Sequence, residues 1–213
     1  MIPVTPQPEP DDFQERVAVP GALFLKTNER PKSTEWKNRD YWRRALPELG
    51  ASYGGVCAYC AIWRPHDART VDHFIAKSVE PSMAYRWDNF RLASRSMNTN
   101  KGTHIVLDPF ALDKDTFQLD IPSMQVVLGE GCPSSQADDA ALTLTHLKLN
   151  VDEELLDERN DWVHDFACAE VSLNYLQRRA PFITAELVRQ AYDEPGRLRE
   201  VLGINADAGE VWI

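Results

Sequence analysis

Apolar and polar positions change rhythm several times along the chain. Residues 1–10 have none: Pro3, Pro6, Pro8 and Pro10, followed by Asp11 and Asp12, predict an extended arm rather than a helix. From 13 to 49 the apolar anchors Phe13, Val17, Leu23 and Phe24 predict helix in short pieces. The runs 56–63 (VCAYCAIW) and 70–76 (TVDHFIA) are short, and the turn-like Pro65, His66 and Asp67 separate them, so two β-strands are expected. SRSMNTNKG then predicts a short helix, with Ser94 as its N-cap and Gly102 as its stop. Residues 117–121 and 124–129 predict a hairpin around Pro122 and Ser123. The remainder reads as helix. Trp162, Phe166, Ala169, Leu173 and Leu176 form one stripe that Pro181 ends. Thr184 is expected to cap a helix running to Tyr192, and Pro195–Gly196 precedes a last one through Leu198 to Leu202. The expected fold class is α+β, with a small strand–strand–helix core in a mostly helical chain. Three parts are expected: an arm and helical segment at 1–49, the core at 50–110, and a hairpin with helices at 111–213.

A chain of 213 residues buries enough surface to need no disulfide staples. The start, MIPVTPQPEP, has no basic region and no apolar run of the secretory kind, and no apolar run is long enough for a bilayer. A cytoplasmic protein without a membrane partner is therefore expected, with Cys57, Cys60, Cys132 and Cys168 as reduced thiols or metal ligands. The net charge of −10 at first opposes a nucleic-acid partner. Its distribution changes that. Between Lys26 and Lys101 stand 14 Lys and Arg against 8 Asp and Glu, a net of +6, while 103–213 holds 21 acidic and 8 basic residues. Local charge, not total charge, decides where phosphates bind. The stretch Lys26–Arg44 interleaves basic residues with Trp36, Tyr41 and Trp42, which either grip a nucleic-acid backbone or fill the core.

The chemistry concentrates in VDHFIAKS and YRWDNFRLASRSMNTNKG. Phosphodiester hydrolysis needs a base for water, positive charge on the phosphate, and accurate placement of both. His73 suits the base, since its ordinary pKa lies near neutrality. Asp72 and Asn98 carry the hard oxygen donors that Mg²⁺ or Mn²⁺ prefers. Neighbours in a strand face opposite ways, so Asp72 and His73 can serve different partners. Asn89 has a side-chain amide able to lock the loop that carries the histidine.

Taken together, the Asp-His of VDHF, the Asn of WDNF with Leu92 after it, and the Asn–x–x–Lys–Gly of NTNKG make residues 53–110 resemble the HNH, or ββα-metal, endonucleases. The resemblance implies a small ββα-metal core and cleavage of DNA to 5′-phosphate and 3′-hydroxyl ends. It implies His73 as general base, Asn89 as the residue that orients it, and Asp72 and Asn98 as ligands of one Mg²⁺ or Mn²⁺ ion. The last of these positions is often histidine in the family, and the HNH domain of RNA-guided nucleases has asparagine there. Many members also hold a structural zinc with two CxxC pairs. Here Cys57 and Cys60 form one pair, but Ser94 and Met97 stand where the second would fall, so structural zinc is not expected. Packing of Tyr59, Trp63, Phe74, Tyr85, Trp87 and Phe90 would replace it.

Arg95, Asn98 and Lys101 are read as one face of the helix, with Arg86 and Arg91 flanking it, and these four cations are the expected phosphate contacts. THLKLN at 145–150 and the charged helix after it resemble HNH proteins encoded beside ATPases in bacterial anti-phage systems such as Septu and certain retrons. That resemblance implies a defence nuclease with an ATPase partner on the acidic helical region. The alternative is a module on the same fold that binds nucleic acid or protein without catalysis.

Overall fold

The computed structural model describes residues 1–204, so the last nine residues of the C-terminal region lie outside it. The architecture is α+β, with eight α-helices and two small two-stranded antiparallel sheets among the described residues. No described helix is long and apolar enough to cross a membrane. The chain forms two compact units, Met1–Asp113 and Lys114–Ile213.

In the first unit the arm lies against the body. Gln7 accepts a hydrogen bond from the Trp87 indole (2.8 Å) and donates its own N–H to the Tyr53 hydroxyl (3.0 Å). A π-helical turn at Gln14–Ala18 leads into α1 (Val19–Thr27), and α2 (Leu46–Ser52) follows a 3₁₀ turn at Tyr41–Ala45. Strands β1 (Arg69–His73) and β2 (Phe90–Ser94) pair antiparallel, with Asp72 opposite Arg91 and His73 opposite Phe90. Helix α3 (Arg95–Lys101) leaves β2 directly. Ser94 caps it by accepting from the Met97 N–H (3.2 Å), and Gly102 at φ +50° ends it.

An aromatic cluster holds these pieces together. Phe13, Trp36, Trp42, Tyr85, Trp87 and Phe90 are buried with Val71 and Leu92 of the two strands. The rings meet edge to face, Phe13 lying 5.6 Å from Trp87 and 5.8 Å from Phe90, the favourable geometry for ring quadrupoles. Trp36 and Trp42 are thus core residues.

One expected strand is absent. Residues 56–63 make a single bridge, Val56 to Trp63, around a knuckle in which Ala61 has φ +54° and its N–H returns to the Cys57 carbonyl (2.9 Å). A left-handed residue breaks the alternation a strand needs. The partner of β1 is instead FRLAS, buried at all five positions, where no alternation marks a strand.

The second unit begins with a hairpin of β3 (Phe117–Asp120) and β4 (Gln125–Leu128), as expected. Helices α4 (Ala137–His146), α5 (Glu153–Ala167), α6 (Leu173–Arg179), α7 (Pro181–Arg189) and α8 (Pro195–Leu202) follow. The stripe read as one helix from Trp162 to Leu176 is two. Ala169 turns left-handed at φ +60°, and Ser172 caps α6. Pro181 opens α7 rather than only ending its predecessor, because proline's missing N–H costs nothing in a first turn. Thr184 is accordingly inside α7, bonded back to the Ala180 carbonyl, and is not a cap.

Candidate active site

His73 ends β1 and is 7% exposed. Its ring meets Trp42 edge-on at 4.9 Å and Phe90 at 5.4 Å. The Nε2 atom lies 2.9 Å from the Ala84 carbonyl oxygen. A carbonyl only accepts, so Nε2 carries the hydrogen and Nδ1 keeps the lone pair. Burial pushes the His73 pKa down to about 4, and the positive charges of Lys77 and Lys101 push the same way. At neutral pH the ring is therefore an uncharged base.

The loop after His73 is held by Asn89, which is 2% exposed. Its Oδ1 accepts from the Ile75 N–H (2.8 Å), and its Nδ2 donates to the carbonyls of Ile75 and Met83 (both 3.0 Å). The side chain thus clamps both ends of residues 75–83, the segment that also carries Ala84 up to His73.

Beside His73 lies a cavity of about 410 Å³. Arg43, Arg69, Lys77 and Arg95 contribute to its wall with His73 and Asn98, and no carboxylate is among its lining residues. Four cations around one cavity favour an anion. Arg69 is set by Gly55, where a Cβ would fall 2.1 Å from the guanidinium. Gly55 has φ +74°, so the glycine serves both the turn and the close approach.

Asp72 turns the other way and is 2% exposed. Its Oδ2 accepts from the Tyr59 hydroxyl at 2.5 Å and its Oδ1 from the Lys101 ammonium at 3.2 Å. Lys101 also donates to the His73 carbonyl (2.8 Å) and is 1% exposed. Burial pushes the Asp72 carboxyl up, while Lys101 and the Tyr59 hydroxyl pull it down. Asn98, half-buried on α3, donates through Nδ2 to the Thr70 hydroxyl and the Val71 carbonyl (both 3.3 Å).

The four expected phosphate contacts separate. Only Arg95 reaches the cavity wall, where it is exposed and donates to the Asp67 carbonyl (3.0 Å). Lys101 is interior because positions six apart on a helix point about 120° away from each other, so Arg95 and Lys101 do not share a face. Arg91 is interior too. It makes a two-pronged bond to Asp108 (2.7 and 2.9 Å), donates to the Asp88 and Phe90 carbonyls, and lies 3.5 Å from the Phe110 ring centroid. Arg86 pairs with Asp88 on the surface, outside the cavity lining. In their place stand Arg43, Arg69 and Lys77. The basic stretch Lys26–Arg44 signalled the first, and the position of Lys77 on the clamped loop signalled the last. No local pattern marks Arg69.

Asp72 and Asn98 are chemically suited to a divalent cation, but their arrangement is not. Both carboxylate oxygens of Asp72 are engaged inside the protein, and Asp72 is not part of the wall that His73 and Asn98 share. As arranged, the residues do not fit a resident Mg²⁺ or Mn²⁺, and the Lys101 ammonium is the cation beside Asp72. Among the described residues no three His, Cys, Asp or Glu side chains converge on a metal position. At the knuckle, Cys57 Sγ accepts from the Ser94 N–H (3.3 Å), Cys60 Sγ from Arg64 (3.4 Å), and Met97 is buried.

No protein-family model matches the chain, and a search of curated proteins finds no match either.

Proposed function

We propose that the protein is an HNH-type endonuclease that hydrolyses DNA phosphodiester bonds, its first unit carrying a small ββα core. The observation that carries this reading is His73: a neutral ring, fixed through Nε2–H, on the wall of a cavity rich in cations. Nδ1 would take a proton from water as the water oxygen attacks phosphorus. The guanidinium groups would offset charge on the non-bridging oxygens. Asn89 supports the chemistry by fixing the loop.

The sequence resemblance supports the ends expected, 5′-phosphate and 3′-hydroxyl, and a place among cytoplasmic anti-phage effectors. For an ATPase partner the support is the charge of the second unit. THLKLN itself is structural there: Leu147 and Leu149 are fully buried, and Asn150 brackets Val126 with two 2.8 Å bonds.

The test is plasmid cleavage by parent and His73→Ala protein. Loss of the base is expected to slow cutting by about 10²–10⁴-fold. Retained affinity for a duplex would show that the variant still folds. A His73→Ala protein that cuts at the parent rate overturns the reading.

A further inference from the structure

The anion cavity contains one lysine among its lining residues, and its setting differs from that of the arginines. Lys77 stands four residues after His73 on the loop that Asn89 clamps. Its ammonium lies 5.2 Å from the Trp42 ring centroid and 5.9 Å from that of Trp36. Trp42 also packs edge-on against His73, so one indole places both the base and this cation. Lys77 is half-buried, yet it has no carboxylate within ion-pair distance and no hydrogen-bond acceptor among the described residues. Arg69 and Arg95, by contrast, donate to the Arg64 and Asp67 carbonyls, and Arg43 pairs with Asp40. Aromatic faces attract a cation without consuming its N–H donors. The three protons of Lys77 thus remain available to a ligand.

We infer that Lys77 is a catalytic residue of this site, contacting the scissile phosphodiester and donating a proton to the leaving 3′-oxygen. This rests on the nuclease reading above. His73 Nδ1 takes a proton from water, and the water oxygen forms the new bond to phosphorus. The bond from phosphorus to the 3′-oxygen breaks, its electron pair staying on that oxygen. Lys77 supplies the proton and is left as a neutral amine; His73 then gives its extra proton to solvent and Lys77 takes one from solvent, which restores both groups. The arginines of the wall cannot take this part, because a guanidinium does not release its proton in a protein. Burial supports the assignment by holding the Lys77 ammonium below the usual lysine range.

The experiment compares two oligonucleotides that differ at the scissile linkage. One has the ordinary 3′-oxygen, the other a 3′-bridging sulfur, whose thiolate leaves without being protonated. Lys77→Met is expected to slow the oxygen substrate about a hundredfold or more, and the sulfur substrate by no more than a few-fold. Lys77→Arg keeps the charge but not the transferable proton, so it should stay slow on oxygen and near the parent on sulfur. Fast cleavage of the sulfur substrate also shows that each variant is folded. Equal losses on both substrates, or no loss on oxygen, overturn the assignment while leaving the nuclease reading in place. A parent protein that cuts neither substrate overturns both.

Discussion

Strand β1 carries charge to two environments that treat it in opposite ways. On one side Asp72, Tyr59 and Lys101 form a closed interior set, each bonded to another and each at most 2% exposed. Arg91 of the neighbouring strand is likewise buried and paired, with a half-buried Asp108 beyond α3. On the other side Arg43, Lys77 and Arg95 stand around the His73 cavity without a carboxylate in its lining. The interior set spends its charge on the fold, while the cavity brings its cations together with no carboxylate among the lining residues. Residue types alone do not separate the two, since both contain lysine and arginine within a few positions of the same motif.

Breaking the interior set should have the largest effect. Lys101→Met leaves the Asp72 carboxylate buried with only Tyr59 for a partner, and loss of one member of a buried pair typically costs about 3–5 kcal/mol. Asp72→Asn combined with Lys101→Met removes both charges and should recover much of that loss. Urea unfolding of the three variants measures it. A Lys101→Met protein as stable as the parent would mean that the pair is not closed in solution, and that Lys101 is free to meet a phosphate after all.

The cavity side should respond to pH instead. His73 has a folded pKa of about 4 against 6.5 for the free side chain. The unfolded chain therefore binds a proton first, and the stability contributed by the neutral ring is lost as pH falls from 6.5 towards 4. Between pH 7.5 and 4.5 the difference amounts to about 2–3 kcal/mol. A His73→Leu variant should lose correspondingly less over the same range, the carboxylates being common to both. Parallel pH curves would show that His73 is solvated rather than packed between Trp42 and Phe90. The same depression predicts that cleavage keeps its base well below pH 6.5.

Much of this arrangement was legible in the sequence, and the failures have definite causes. Ser94 and Gly102 bracketed α3 correctly because caps are local. The hairpin at 117–129 was legible for the same reason. That Asn89 could hold the loop after His73 was legible too, because an amide clamp depends on residue type and on a loop of fixed length. Strand β2 was missed because its side chains are buried at all five positions, so no alternation marks it. The site cations were misassigned because which of them face outward is a tertiary matter. Arg91 and Lys101 look like phosphate ligands in the motif, but Asp108 and Asp72, distant in sequence, claim them. Arg69 enters the site through packing beside Gly55, which no local pattern announces.

The smallest effect on stability should come from the exposed cations, and here the comparison is sharpest. Arg43 and Arg95 are exposed, and their bonds to Asp40 and the Asp67 carbonyl are surface interactions worth little to the fold. Replacing both with Gln should change unfolding free energy by no more than about 0.5 kcal/mol. Duplex binding should change clearly. Each phosphate contact contributes about 0.9 to the slope of log affinity against log salt, so the double variant should lose nearly two units of slope. Arg86→Gln is the matched control. Arg86 is exposed too and lies in the same motif, but it is paired with Asp88 outside the cavity lining. Its replacement should leave the slope where it was. The measurement is a salt titration of duplex binding in the His73→Ala background, which prevents cutting. If Arg86→Gln lowers the slope as much as Arg95→Gln does, the phosphates follow the motif rather than the cavity, and the two sides of β1 do not divide the work as their geometry suggests.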